Sequence, residues 1–202
     1  LLLDGYDVHI ATQFTRYKKM LLKMGFKTHD ISFNENSVNL LKAILPIFQI
    51  FLLIRKVKPT IFHLISLKPI IFGGFVSFIS PINTLVISIT GLGSMFLKKG
   101  IFYKIREYIF NLFYRIIFLF PNLKVILQNK SDLNYLIKKA KLKKNKTEII
   151  RGSGIDLKSL KFSEIPKNVP IIIMAGRIIA DKGIFEYIKS IQYLKKNNFK
   201  GK

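Results

Sequence analysis

Thr84-Leu85-Val86-Ile87-Ser88-Ile89-Thr90-Gly91-Leu92-Gly93 lies within the longest uncharged stretch of the chain, which runs from Lys68 to Lys98. That stretch exceeds the ~20 residues a helix needs to cross a bilayer. Gly73, Gly74, Pro81, Asn83 and the Gly91/Gly93 pair break it into pieces, however, and the segment from Ile82 to Ile89 is rich in β-branched residues. A helix, a turn and a buried strand inside an α/β core account for this pattern better than a spanning helix does. The strand is expected over Thr84 to Ile89, with a glycine turn at its carboxyl end.

Extended and helical signals alternate on both sides of this strand. Upstream lie a strand from Tyr6 to about Thr12, a helix over 16–24 stopped by Gly25, and a strand near 26–33. A long helix follows around 37–57, where Leu40, Leu41, Ile44, Ile47, Phe48, Phe51 and Leu52 keep the spacing of one apolar face. Pro59 introduces a strand over Thr60 to Ile65, and a helix near 69–79 leads back to Thr84. Downstream come a helix over 99–119 that stops before Pro121, a strand from Lys124 to Leu127, a helix from Ser131 to Lys139, and a strand from Thr147 to Ile150. Short apolar strands separated by helices predict an α/β fold, a Rossmann-like parallel sheet with helices on both faces. Beyond Gly152 to Asp156, a polar stretch holding Pro166 and Pro170 reads as a linker. Ile171-Ile172-Ile173-Met174-Ala175 is then expected to be a fresh buried strand, with a helix from about Lys182. The organisation is thus a first domain over 1–162, a linker over 163–169, and the first β-α unit of a second Rossmann-like domain over 170–202. Both ends read as cut.

Composition narrows the function. The 202 residues are half hydrophobic and include 18 Phe, which excludes an intrinsically disordered chain despite a formal net charge of +23. With no cysteine and only His9, His29 and His63, neither a thiolate nor a multi-His metal site is expected. Only six of the 34 cationic residues are arginines, and the lysines are scattered among abundant Ile, Asn, Phe and Tyr. This distribution speaks for compositional drift and solubility more than for a nucleic-acid groove, and nucleic acid is not expected as a partner. An anionic partner such as a phosphorylated substrate or an acidic membrane remains open. The alternative to an enzyme is a basic membrane-associated or nucleic-acid-binding α/β protein without catalysis.

The chemistry-bearing segments fall near strand ends. After the apolar run at 171–175 come Gly176-Arg177, and five residues beyond the arginine Lys182-Gly183 opens a helix. In open α/β sheets ligands sit beyond the carboxyl ends of the strands. Arginine can grip a phosphate with two parallel hydrogen bonds, and lysine adds a mobile point charge. A glycine at the helix start admits close backbone approach. Taken alone, these residues fit equally well a pair of surface cations flanking an ordinary β-α turn.

Together with three other segments, however, they resemble a known family. Gly176-Arg177-x4-Lys182-Gly183 resembles the donor-diphosphate motif of the glycosyltransferase family 4 group. Thr90-Gly91-Leu92-Gly93 is similar to a loop of members that build bacterial surface polysaccharides. Val125-Ile126-Leu127-Gln128-Asn129-Lys130-Ser131-Asp132 and Gly152-Ser153-Gly154-Ile155-Asp156-Leu157 resemble two further elements in the expected order. The resemblance implies the GT-B fold of two Rossmann-like domains, with the first binding the acceptor. It implies transfer of a sugar, with retention, from a nucleotide-sugar (commonly a UDP-sugar) to a lipid-linked or polysaccharide acceptor in surface glycan synthesis. Arg177, Lys182 and Gly183 would hold the donor diphosphate without a metal or other cofactor. Gly91, Leu92 and Gly93 would form a cleft loop.

The departures from the family pattern are specific. The first strand with its glycine-rich turn would precede Leu1, and the paired glutamates spaced eight apart would follow Lys202. Glu186 cannot stand in for that pair, because position 194 is Leu194. No catalytic residue is therefore assigned, and the 202 residues alone are expected to be inactive. His63 is a candidate on the acceptor side, although a lone histidine in an apolar strand is more often packed and hydrogen-bonded. In the helix over 99–119, Lys104, Tyr108, Asn111 and Arg115 form one polar stripe beside a wide apolar surface. That pattern suits a membrane interface or a core helix equally. The resemblance favours the membrane: it implies an undecaprenyl-diphosphate-linked or glycan acceptor, an anionic membrane surface as partner, and a cytoplasmic enzyme peripheral to the inner face.

Overall fold

The computed structural model describes residues 1–33, 41–92, 100–152, 154–164 and 169–201. The chain divides into two compact units, Leu1–Gly152 and Ser153–Lys202.

The first unit is built from β1 (His9–Thr12), α1 (Lys18–Lys23), β2 (Lys27–Asp30), α2 (Leu41–Val57), β3 (Ile61–Ile65), α3 (Leu67–Ser77), β4 (Thr84–Ile89), α4 (Ile101–Ile117), β5 (Leu123–Leu127), α5 (Lys130–Ala140) and β6 (Thr147–Ile149). All strand pairs are parallel, as expected of strands joined by helices. Among the described residues they form two sheets, a β1-β2 pair and a four-stranded β3-β4-β5-β6 sheet. The strand from Thr84 to Ile89 lies where the sequence puts it, in the interior of the larger sheet. The start expected for the long helix at 37–40 lies outside the described residues.

Side chains alternate along β4 and β5. Leu85, Ile87, Ile89, Leu123, Val125 and Leu127 are buried in the main core with Ile70 of α3, Tyr114 and Ile117 of α4, and Leu133 and Leu136 of α5. Ile50 and Ile54 of α2 pack with Val76 of α3 and Phe62 of β3 in an adjoining cluster. Among the described elements, α2 to α5 therefore gather on one face of the larger sheet. The topology explains this arrangement. From β3 to β6 the order advances one strand at a time, and right-handed crossovers in one direction place α3, α4 and α5 on the same side, while α2 joins them through its packing on α3 and Phe62. The opposite face carries Ile61, His63, Ile65 and Lys124, all exposed. Sequence patterning reveals apolar strands but not the direction of the crossovers.

Local chemistry fixes the element ends. Asn129 accepts a hydrogen bond from the Asp132 N–H at 2.8 Å and so caps α5, which ends at Lys141 in the left-handed region. Gly73 and Gly74 let α3 lie close to its neighbours. A Cβ on Gly74 would stand 2.8 Å from Ile117 Cδ1, and one on Gly73 would stand 2.5 Å from a Leu64 methyl.

In the second unit, a single 3₁₀ turn (Ala180–Lys182) precedes α6 (Ile184–Lys196). Residues 171–175 are not the buried strand expected from their apolar run. They join no ladder among the described residues, and Ile171, Ile173 and Ala175 are exposed while Ile172 and Met174 are half-buried. A strand is defined by its neighbours' hydrogen bonds, and no described strand lies beside this one. The Tyr187 hydroxyl of α6 donates to the Ile172 carbonyl at 2.9 Å. Among the described residues, no helix is long and apolar enough to cross a membrane.

Candidate functional site

The carboxyl end of β4 runs into Thr90 and Gly91. Gly91 has φ +146°, a conformation that favours glycine, and a Cβ there would meet open space, so the constraint is on the backbone alone. Leu92 packs against the main core and anchors the loop from behind. Gly93, the third residue of the expected cleft loop, lies outside the described residues. The Gln128-Asn129 segment after β5 has a structural use, since Asn129 is the α5 cap. Gly152 and Gly154 have φ of +67° and +70°.

His63 points from the open face of the larger sheet, and its Nε2 lies 2.7 Å from the Ser88 hydroxyl of the neighbouring strand. The two residues are diagonal partners, because Ile65 is the residue paired with Ser88. Burial of the inner part of the ring pulls its pKa below the ordinary 6.5. At neutral pH the imidazole is therefore uncharged, able to hydrogen-bond a hydroxyl that reaches the sheet face. A sequence gives no sign of this pair, whose members are 25 residues apart.

Arg177 and Lys182 are both exposed, and they flank the turn that leads into α6. Gly183 has φ +80° and occupies the position just before α6, where its carbonyl accepts from the Tyr187 N–H at 2.9 Å. A Cβ on Gly183 would meet Glu186 Oε2 at 3.7 Å, so a carboxylate already lies near the positive end of the helix. The expected diphosphate residues thus share the segment that leads into α6, with both cations open to solvent.

A second polar centre lies between α4 and α5. Lys104, Glu107, Tyr108, Asn111, Leu112, Arg115 and Lys139 line a crevice of about 400 Å³. The Asn111 amide donates to the Tyr135 hydroxyl at 2.9 Å, and that hydroxyl donates to Glu107 Oε1 at 2.7 Å. Burial, offset in part by the Asn111 hydrogen bond and reinforced by Glu107, pushes the Tyr135 pKa up to about 12. Arg115 donates from Nε and one Nη to the Lys139 carbonyl, at 3.0 and 2.8 Å. Lys139 Nζ stands 3.9 Å from Glu107. Asn111 is only 6 % exposed, and its carboxamide oxygen has no hydrogen-bond donor among the described residues. Such an orphan costs about 1–3 kcal/mol. The α4 stripe of Lys104, Tyr108, Asn111 and Arg115 is legible in the sequence. The α5 contributions of Tyr135 and Lys139 are not, because they depend on how the two helices pack.

On the small sheet, His9 Nδ1 and His29 Nε2 lie 2.9 Å apart, with Asp7 Oδ2 at 3.3 Å from His9 Nε2. Burial, followed by the neighbouring His9, Lys56 and Lys27, lowers the His29 pKa. Among the described residues, no group of three or more His, Asp or Glu could hold a metal ion.

The family model described as Glycosyl transferase 4-like matches residues 1–119, which hold both sheet-face residues, Gly91, Leu92 and all of α4. The chain belongs to that family. Arg177, Lys182 and Gly183 lie outside the residues that the glycosyltransferase model matches. A curated relative, the N,N'-diacetylbacillosaminyl-diphospho-undecaprenol alpha-1,3-N-acetylgalactosaminyltransferase of Campylobacter jejuni subsp. jejuni serotype O:2, is 25% identical over 207 residues. That alignment takes in 96% of this chain and 54% of the relative. The crystal structure of a glycosyltransferase from Rickettsia africae superposes with a TM-score of 0.60 at 19% identity, over 96% of this chain and 51% of that one. At that identity the likeness concerns the fold. The chain spans about half the length of the relatives it matches.

Proposed function

We propose that this chain is the acceptor-side lobe, with the start of the donor-side lobe, of a retaining GT-B glycosyltransferase. In this reading the lobes are 1–162 and 170–202, joined through 163–169, although the compact units divide earlier, between Gly152 and Ser153. The reaction moves a sugar from a nucleotide-sugar, commonly a UDP-sugar, to an undecaprenyl-diphosphate-linked or polysaccharide acceptor in surface glycan synthesis. The observation that carries this reading is the family match over residues 1–119. The Campylobacter relative, whose name specifies a diphospho-undecaprenol substrate, supports the choice of acceptor.

In this reading Arg177 and Lys182 meet the negative charge that develops on the leaving diphosphate, and Gly183 allows the phosphate to approach the α6 backbone. The two exposed cations take the part that a divalent metal would otherwise play. Gly91, Leu92 and Gly93 border the reacting groups, and the neutral His63, held by Ser88, orients a hydroxyl on the acceptor side. The 202 residues alone are expected to turn over no substrate, because they hold no two glutamates spaced eight apart to bind the donor's ribose and sugar. The enzyme works on the cytoplasmic side, held to the inner face of the membrane through α4.

The test is transfer of radiolabelled sugar from a panel of nucleotide-sugars to undecaprenyl-diphosphate-linked acceptors, by the protein isolated from its natural host. Labelled lipid product in at least one pairing is the expected result. Hydrolysis or no product across the whole panel would refute the reading.

A further inference from the structure

The surface of α4 turned away from the core is apolar where a solvent-facing helix would be polar. Phe102, Ile105, Ile109 and Leu112, at spacings of 3, 4 and 3, are all exposed, Phe102 by 78 %. Along one border of this strip run Lys104, Tyr108 and Arg115, and behind them opens the α4–α5 crevice. A lipid surface has the same layering, with hydrocarbon next to a sheet of anionic phosphates.

The crevice itself is not a simple anion trap. Lys104, Arg115 and Lys139 supply positive charge, but Glu107 stands among them, 3.9 Å from Lys139 Nζ. Asn111 adds a buried carboxamide oxygen that has no donor among the described residues. Two acceptors set among three cations suit a ligand that carries both a phosphate and hydroxyl donors. A bare phosphate would satisfy the cations and leave the Asn111 oxygen unmet, while Glu107, which already accepts from the Tyr135 hydroxyl, keeps further lone pairs for a ligand hydroxyl. A volume of about 400 Å³ falls in the range of small-molecule sites.

We infer that the α4–α5 crevice receives the head of an anionic, hydroxyl-bearing phospholipid of the phosphatidylglycerol class. Lys104 and Lys139 face its phosphate, Glu107 and Asn111 accept from its glycerol hydroxyls, and Phe102, Ile105, Ile109 and Leu112 enter the acyl layer beside it. Arg115 spends Nε and one Nη on the Lys139 carbonyl, which fixes the end of α5 that presents Lys139. This inference rests on the peripheral attachment proposed above and adds a specific headgroup to it.

Co-sedimentation of the 202-residue chain with vesicles tests it. Three compositions are compared: phosphatidylcholine alone, and phosphatidylcholine with an equal mole fraction of either phosphatidylglycerol or phosphatidylmethanol. The last two carry the same single phosphodiester charge and differ in the headgroup hydroxyls. The expected result is no binding to the neutral vesicle, and binding to phosphatidylglycerol about tenfold tighter than to phosphatidylmethanol, the value of one to two hydrogen bonds. Asn111→Leu abolishes the preference and leaves the binding common to both anionic lipids. Lys104→Ala with Lys139→Ala weakens binding to both by about tenfold or more. Should Asn111→Leu fail to fold, Glu107→Ala reads the same preference: its binding to phosphatidylmethanol rises while the ratio between the lipids falls. Equal binding of both anionic lipids, unchanged by Asn111→Leu, overturns the headgroup site while leaving surface attachment standing. Failure to bind any vesicle overturns both.

Discussion

Replacing Gly74 by alanine tests the packing that sets α3 against α4. The added Cβ would lie 2.8 Å from Ile117 Cδ1, 2.8 Å from Cγ1 and 3.0 Å from Cγ2, where carbon atoms normally keep about 3.5–4.0 Å. Ile117 is fully buried and β-branched, so it can neither move into solvent nor rotate cheaply at χ1. Overpacking of this kind costs about 1–3 kcal/mol. Alanine in a helix interior returns roughly 0.5–1 kcal/mol. The balance is a loss centred on about 1 kcal/mol and reaching about 2.5 kcal/mol, so that the central value lowers Tm by about 2–4 °C at this chain length. Urea unfolding followed by far-ultraviolet circular dichroism should show a lower midpoint with an unchanged slope. Ile117→Val removes the Cδ1 atom, so the double variant should lose less stability than the two single changes added together. A Gly74→Ala protein as stable as the parent, or strict additivity with Ile117→Val, would refute this account of how the two helices meet.

Asn129→Ala removes the α5 cap and should cost about 1 kcal/mol, read as a fall in Tm. In proton NMR, His63 should titrate below 6.5, with its charged form disfavoured in the folded state. Its contribution to stability is therefore complete above the unfolded value of 6.5 and is lost as pH falls through that range, a slope that His63→Gln should reduce. Tyr135 should ionise near pH 12 in an ultraviolet titration. Because that value lies above the ordinary 10.0, its stabilisation holds below pH 10 and fades as pH rises further, and Tyr135→Phe should remove the late step from the titration.

The parts of the fold that were legible in the sequence are those coded by local pattern. The run from Thr84 to Ile89 is β-branched, uncharged and closed by a glycine, and β4 occupies the same six residues. The apolar periodicity before Pro121 yields α4, and the i, i+3, i+4 spacing around Phe48 and Phe51 yields α2. What stayed hidden depends on contacts between elements. That α3 to α5 share one face follows from strand order, which no window of sequence contains. The apolar run at 171–175 signals burial, yet burial needs a neighbouring strand, and none pairs with it among the described residues. At the candidate sites, the α4 stripe and the Arg177/Lys182 spacing could be read from one segment each. The His63–Ser88 pair and the Tyr135 and Lys139 side of the crevice arise only when segments about 25 or more residues apart are brought together.

The central claim is that Arg177 and Lys182 face the diphosphate of a sugar donor. Titration calorimetry and turnover of the protein from its natural host, with and without Arg177→Ala and Lys182→Ala, test it most directly. Two charge-assisted contacts worth about 1.5–3 kcal/mol each predict a loss of nucleotide-sugar affinity of about 10- to 100-fold per residue, with transfer falling at least as far. Unchanged affinity and unchanged transfer in the double variant would contradict the claim.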